Sequence, residues 1–382
     1  MSSAPSELLV VGIGADGWAG LSPLAQQAVS AHRVLMGARR QLDLVPGDFV
    51  RVEWPSPLLP ALPSLLERYP DACVLASGDP MFHGIGSTLV RLVGPDRVRV
   101  IPHPSSVSLA CARLGWALND VEVVSLVGRP ADLLRAALQP GRRILVLGGD
   151  PAEVAALAGE ITVLEQLGGP AERVGPWTGA PVDPLNVIAI DYRGTGLPRV
   201  PGLPDEVFEH DGQLTKREIR AVSLSALAPL PGQLLWDVGG GAGSIAIEWA
   251  RTHPSCRAIT IEQHAERAAR ITTNAAALGV PGVVVHIGRA PEALAGLETP
   301  DAVFIGGGVT VPGVVETCWE ALSSGGRLVV NAVTLESEAV VAAWYAKLGG
   351  ELTRISVSRG SPVGGFTGWR TAMPVTTWSV VK

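Results

Sequence analysis

A chain of 382 residues, 47% hydrophobic and 17% charged, is long enough for about two domains and too apolar to be disordered as a whole. Its net charge of −6, with no run of Lys or Arg, speaks against nonspecific nucleic-acid binding through a basic surface. No apolar stretch has the length of a membrane span, and Cys73, Cys111, Cys256 and Cys318 show neither CxxC nor metal-ligand spacing. A cytoplasmic protein with no metal and no membrane partner is expected.

The N-terminus, MSSAPSELLVVGIGADG, has no basic region before its short apolar run and reads as a first strand, not a signal peptide. Strand-like runs then alternate with Ala/Leu-rich helical stretches through RVLMG, ACVLASGD, RVRVIP, SVSLACARLGW, VEVVSLVG, RRILVLGG, ITVLEQLG and NVIAIDY. This is α/β alternation and predicts mostly parallel, buried strands. The rhythm breaks over residues 193–213, RGTGLPRVPGLPDEVFEHDGQ, and a boundary near residue 205 divides the chain into 1–205 and 206–382. The second half restarts with the helix LTKREIRAVSLSALAP and five strands, LLWDVGG, AITIEQ, VVVHIG, AVFIGGG and GRLVVNAV. It ends in two further β-type runs, ELTRISVSRG and AMPVTTWSVVK. A terminal antiparallel pair on a parallel sheet favours a methyltransferase that uses S-adenosylmethionine (SAM) over a plain dinucleotide-binding domain.

Two glycine-rich corners need separating. Gly12-Ile-Gly14-Ala-Asp16-Gly17 satisfies GxGxxG, but the second strand ends in Gly37 and Arg39 with no acid for a ribose, so NAD is rejected. The second corner, Asp237-Val-Gly239-Gly240-Gly241-Ala242-Gly243, runs from a strand into a helix, where glycine lets a ligand approach backbone amides. Asp237 would repel a pyrophosphate but can meet the amino-acid portion of SAM. Glu262, at the end of the second strand, is spaced to grip ribose hydroxyls.

Several stretches of the first half, VVGIGADGWAGLSP, LASGDPMFHGIG, PHPSSVSLACARLGW and VLEQLGGPAERV, resemble the tetrapyrrole (corrin and siroheme) methylase family. The resemblance implies a two-lobed domain with SAM held between the lobes by Gly78, Asp79 and Pro80 and by Ser105 and Ser106. Asp16 then becomes a substrate-side polar group. The second half, through HDGQLTKREIRA, LLWDVGGGAGSIAIEWAR, HIGRAPEAL and FTGWRTAMPVTTWSVVK, resembles the methyltransferase that in some organisms is that domain's separate partner. The implied architecture is a tetrapyrrole methylase domain followed by a Rossmann-like class I SAM methyltransferase domain with a C-terminal antiparallel hairpin. Thr215, Gly239 to Gly243 and Ala290 would contact the second SAM.

Fusion of the two halves resembles the C5,15-methylating enzymes of corrin-ring synthesis. It implies methylation of precorrin-6B at C5 by the first half, and methylation at C15 with loss of the C12 acetate carboxyl by the second, giving precorrin-8X. Such a substrate carries many carboxylates, so Arg217, Arg220, Arg359 and Arg370 are expected to bind it, with His83 orienting it and Trp369 meeting its flat face. Lys216, one of three lysines, and Glu336 are candidate proton donors for the decarboxylation. Methylase lobes of this kind often pair, so a homo-oligomer is expected. A chain with only one active half, or a non-catalytic tetrapyrrole carrier, remains open at this point.

Overall fold

The structure, a computed structural model, describes residues 7–382; the first six residues of the stretch read as a strand without a signal peptide lie outside it. The chain forms two compact units. The first runs to Arg129 and resumes at Pro140–Arg193, and the second takes Pro130–Gln139 and Gly194–Lys382. No helix among the described residues is long and apolar enough to cross a membrane.

Unit 1 contains two five-stranded sheets. The first comprises β1 (Leu8–Ile13), β2 (Val34–Gly37), β3 (Val50–Glu53), β4 (Cys73–Ser77) and β5 (Val98–Ile101), in the order β3-β2-β4-β1-β5. All its pairings are parallel, and β1 is buried along its whole length, as an apolar central strand should be. The second comprises β6 (Val121–Ser125), β7 (Arg143–Leu147), β8 (Thr162–Glu165), β9 (Arg173–Pro176) and β10 (Asn186–Asp191), in the order β6-β7-β10-β8-β9. Here the expected parallel arrangement holds only for β6–β7, and the other three pairings are antiparallel. The link from β8 to β9, residues 166–172, is too short for a helical crossover, which forces a reversal.

Unit 2 is built on one seven-stranded sheet. Its strands are β11 (Leu234–Val238), β12 (Arg257–Glu262), β13 (Val284–Ile287), β14 (Ala302–Ile305), β15 (Arg327–Ala332), β16 (Glu351–Ile355) and β19 (Val375–Val381). Between the last two, β17 (Ser358–Val363) and β18 (Phe366–Thr371) form a separate ribbon. The order is β13-β12-β11-β14-β15-β19-β16, with β19 antiparallel to both neighbours. Trp236, Trp249 and Trp378 fill the core.

The Pro/Gly-rich stretch after residue 193 is bolted down. Leu203 and Phe208 are buried in the unit 2 core, and Glu248 accepts hydrogen bonds from Gly202 N (2.6 Å) and Leu203 N (2.9 Å). Arg199 donates to Ala136 O at 3.2 Å, and Gln139 donates to Leu197 O at 3.3 Å, so residues 130–139 pack against the same stretch.

Candidate active sites

Unit 1 holds a cavity of about 120 Å³. Gly14 and Ala15 after β1, Ser77 at the end of β4 with Gly78 and Asp79 after it, and Ser105 and Ser106 enter from one side, and Leu147, Leu164 and Asn186 from the other sheet. The SGDP turn reverses through Gly78 at φ 54°, a conformation that favours glycine. Asp79 Oδ1 accepts from Met81 N at 2.9 Å, which braces the turn. Ser105 caps the helix Ser106–Leu114, its Oγ accepting from Ser108 N at 3.0 Å. Pro80 is buried behind the turn, packed under Gly84 and Gly86, and does not line the cavity.

The glycines of the first corner serve close packing. A Cβ on Gly12 would fall 2.0 Å from Gly78 O, and one on Gly14 2.7 Å from His103 Nε2. Asp16 follows the cavity residue Ala15 without itself lining the cavity, and its Oδ1 is 3.3 Å from His103 Nε2. Sequence reasoning missed His103, although its place two residues before a capping serine was a usable signal. Arg40, Ser77 and Asn186 also line this cavity without having been singled out. His83 is exposed, in left-handed geometry (φ 52°), with its ring edge-on to Phe82; Phe82, not His83, faces the cavity.

In unit 2 two adjoining cavities share the glycine turn. One, of about 210 Å³, is lined by Gly239, Gly241, Glu262, Ala290 and Gly306–Gly308. Gly239 (φ 77°), Gly241 (φ 58°) and Gly243 (φ 76°) all need the left-handed region, and the turn is crowded on every side. A Cβ on Gly239 would lie 2.8 Å from Gly307 N, on Gly240 2.1 Å from Thr260 Cγ2, and on Gly241 2.8 Å from Gln213 O. Ala242 is buried beneath the turn, and Gly243 opens the helix Ser244–Thr252. Glu262 is nearly buried, accepting from Gly241 N (2.9 Å) and His264 N (3.0 Å), so its carboxylate stands at the cavity wall tied to the turn itself.

Asp237 is fully buried and turned inward, accepting from Ala246 N at 3.3 Å, and lines neither cavity. Burial pushes its carboxyl up to about 7, opposed by the Ala246 amide and assisted by the Glu262 charge.

The second cavity, about 340 Å³, lies between the loop Gly212–Lys216, the glycine turn and the base of the β17–β18 ribbon. Thr215, Lys216 and Arg359 line it. Lys216 Nζ is 3.7 Å from Asp205, and Arg359 is paired with Glu218 on the helix Arg217–Leu227.

Several expected substrate and proton-transfer residues stand elsewhere. Arg220 is fully buried: its Nε donates to Glu248 at 2.5 Å, its Nη1 to Asp205 at 3.2 Å and to Thr215 O, and its Nη2 to Leu203 O. With its fork saturated it cannot clamp a substrate carboxylate; it holds the loop that lines the cavity. Its place on the apolar face of its helix was the sequence signal. Glu336 is exposed in the first turn of the helix Leu335–Leu348 and lines neither cavity. Its own backbone amide and Thr334 hold its carboxyl below the usual range, the wrong direction for a proton donor. Arg217 is exposed, and Trp369 (82% exposed) and Arg370 project from β18 outside the cavity.

The turn in unit 2 fits SAM: Gly239 and Gly241 present bare backbone to the cavity, and the Glu262 carboxylate stands beside them for hydroxyls. Among the described residues no cluster of His, Cys, Asp or Glu could hold a metal.

Comparison with known proteins gives two family matches. Residues 7–180 match the tetrapyrrole (corrin/porphyrin) methylases, and residues 206–382 match the precorrin methyltransferase domain. The chain is 50% identical to a Sinorhizobium precorrin-6Y C(5,15)-methyltransferase (decarboxylating), over 98% of this chain and 96% of that one. It is 49% identical to a protein of the same name from Mycobacterium tuberculosis, over 98% and 100%. A probable cobalt-precorrin-6B C(15)-methyltransferase (decarboxylating) from Pyrobaculum calidifontis is 38% identical over 46% of this chain and 93% of its own length.

Proposed function

The chain belongs to the family of precorrin-6Y C(5,15)-methyltransferases (decarboxylating), and we propose that its two units divide that family's work. It is a SAM-dependent C-methyltransferase acting on a precorrin. In our reading each unit binds one SAM, unit 1 methylates C5, and unit 2 methylates C15 and removes the C12 acetate carboxyl. The observation that carries this is the pair of separate cavities, each beside its own glycine-bearing turn, in halves that match different methyltransferase families. A relative about half this chain's length bears the name of the C15 reaction with decarboxylation alone, which favours a division between halves.

SAM supplies an electrophilic methyl on sulfur. The protein's task is to align donor and acceptor carbon, worth several kcal/mol in saved entropy. In unit 2, Glu262 would accept from the ribose hydroxyls, Gly239 to Gly243 would let the ligand approach the backbone, and Ala290 would bound it, with Thr215 reaching it from the neighbouring cavity. The neighbouring cavity would take the macrocycle, with Arg359 and Lys216 meeting its carboxylates. Loss of CO2 breaks the bond from the acetate methylene to its carboxyl carbon, sends the electron pair into the conjugated ring and requires a proton at the methylene. Lys216, which lines the cavity with Asp205 beside its ammonium, would deliver it. In unit 1, Gly78, Asp79, Ser105 and Ser106 would bound SAM, with Asp16 and His103 on the substrate side.

Calorimetric titration of the full chain with S-adenosylhomocysteine, with NAD(H) as control, tests the reading. Two equivalents per chain are expected; one equivalent would remove one of the sites, and none would sink it.

A further inference from the structure

The unit 1 cavity contains a cation that the C5 reaction as described does not use. Two arginines follow β2. Arg39 faces solvent, 3.9 Å from Asp43. Arg40 turns the other way and lines the cavity, its Nη2 donating to Ser77 Oγ at 2.8 Å. Ser77 Oγ also accepts from Gln41 Nε2 at 2.5 Å, so its lone pairs are taken.

Among the described residues Arg40 forms no ion pair. The carboxylate whose charge acts on it is Asp183, and that group is already committed: Gln166 and the Leu185 amide hold it, and the Arg173 charge also acts on it. Arg40 is half-buried, and burial lowers its pKa against the opposing pull of Asp183. A partly desolvated cation gains from a partner, and the planar fork of arginine is shaped for a carboxylate. A second group in the same cavity is also incomplete. Asn186 Nδ2 donates to Asp183 O at 2.6 Å, but its buried Oδ1 finds no hydrogen-bond partner among the described residues and can accept from an N–H of a ligand.

We propose that Arg40 is a ligand-binding residue of the unit 1 site that clamps a carboxylate. Two sources of that carboxylate reach this cavity under the proposed function, on which the inference rests: the methionine end of SAM and an acetate or propionate arm of the macrocycle. Neither Asp79 nor the serines of the cavity can do this work, since an acid repels the group and a neutral hydroxyl offers a single donor.

The test uses the full chain carrying Glu262→Ala, so that the ligand titration reports unit 1. Arg40→Gln and Arg40→Lys are compared with that parent for the Kd of S-adenosylhomocysteine, the Kd of 5′-methylthioadenosine (which lacks the amino-acid portion), and the KM of the precorrin in C5 methylation. If the carboxylate is that of methionine, Arg40→Gln weakens S-adenosylhomocysteine about tenfold or more and leaves methylthioadenosine unchanged. If it belongs to the macrocycle, both nucleoside affinities stay put and the precorrin KM rises by a similar factor while kcat holds. Arg40→Lys keeps the charge without the fork, and should fall between parent and Arg40→Gln. Should Arg40→Gln fail to fold, Arg40→Lys decides alone, with a loss of about threefold or more expected in the same one of the two readouts. Unchanged Kd and KM in a folded variant whose parent methylates C5 would overturn the assignment by itself. A parent that binds no S-adenosylhomocysteine in unit 1 and never methylates C5 would instead overturn the reading beneath it, and the assignment with it.

Discussion

The two glycine-rich corners look alike as strings of residues and are built for different ends. In unit 2 the glycines bend the backbone through left-handed geometry directly against a cavity, with a carboxylate at the wall. In unit 1 Gly12 and Gly14 are small so that β1 can lie against the SGDP turn and His103, and the polar groups at the cavity come from four separate segments of the chain. A glycine motif therefore reports close approach, and only the tertiary neighbours say whether the approaching body is ligand or protein.

If the cavities are independent, damage to one unit should spare the other. The largest effect is expected from Arg220→Met, which leaves Glu248 and Asp205 without their buried cation and should destabilise unit 2 by about 3–5 kcal/mol, read as a lower urea midpoint. C5 methylation should persist under native conditions; its loss would join the two units into one cooperative system. Next comes Gly239→Val, which forces a side chain onto Gly307 and should cut C15 methylation about a hundredfold or more through misplaced reactants, with C5 methylation unchanged. An equal fall in both would break the division of labour.

A pH test sharpens the contrast within unit 2. The Asp237 carboxyl, up at about 7 in the folded state, lies above the ordinary value of 3.8, so the folded state holds a proton that the unfolded state releases between those values. Stability should be fullest below about 4, fall as pH rises through 7 and level off above it. Asp237→Asn is expected to raise stability at pH 8 by on the order of 4 kcal/mol, with the gain gone by about pH 4. Thermal unfolding at the two pH values checks it, and a gain that is equal at both would show that the buried charge is not the cause. The smallest effect is expected of Trp369→Ala: exposed on the ribbon, it should change the precorrin KM by no more than about threefold and leave S-adenosylhomocysteine affinity alone. A tenfold rise would carry the macrocycle out of the cavity and along the ribbon.

Much of this was legible in the chain alone. The alternation of apolar runs with helical stretches, the terminal antiparallel run, and the Asp-x-Gly-x-Gly-x-Gly corner followed by Glu262 all depend on local periodicity and short spacing, which a sequence carries in full. The fate of each charged side chain depends on partners far along the chain. Arg220 lies 28 residues from Glu248, and Asp16 meets His103 only because β1 and β5 are neighbours in the sheet. Nothing in the local residues distinguishes Arg39 in solvent from Arg40 in the cavity, or Arg359 at the cavity wall from Arg370 beyond it. Pattern determines which segments become strands and helices, because backbone geometry repeats over a few residues. Burial and pairing of charge were decided by tertiary structure, because water is displaced only where distant segments close around a side chain.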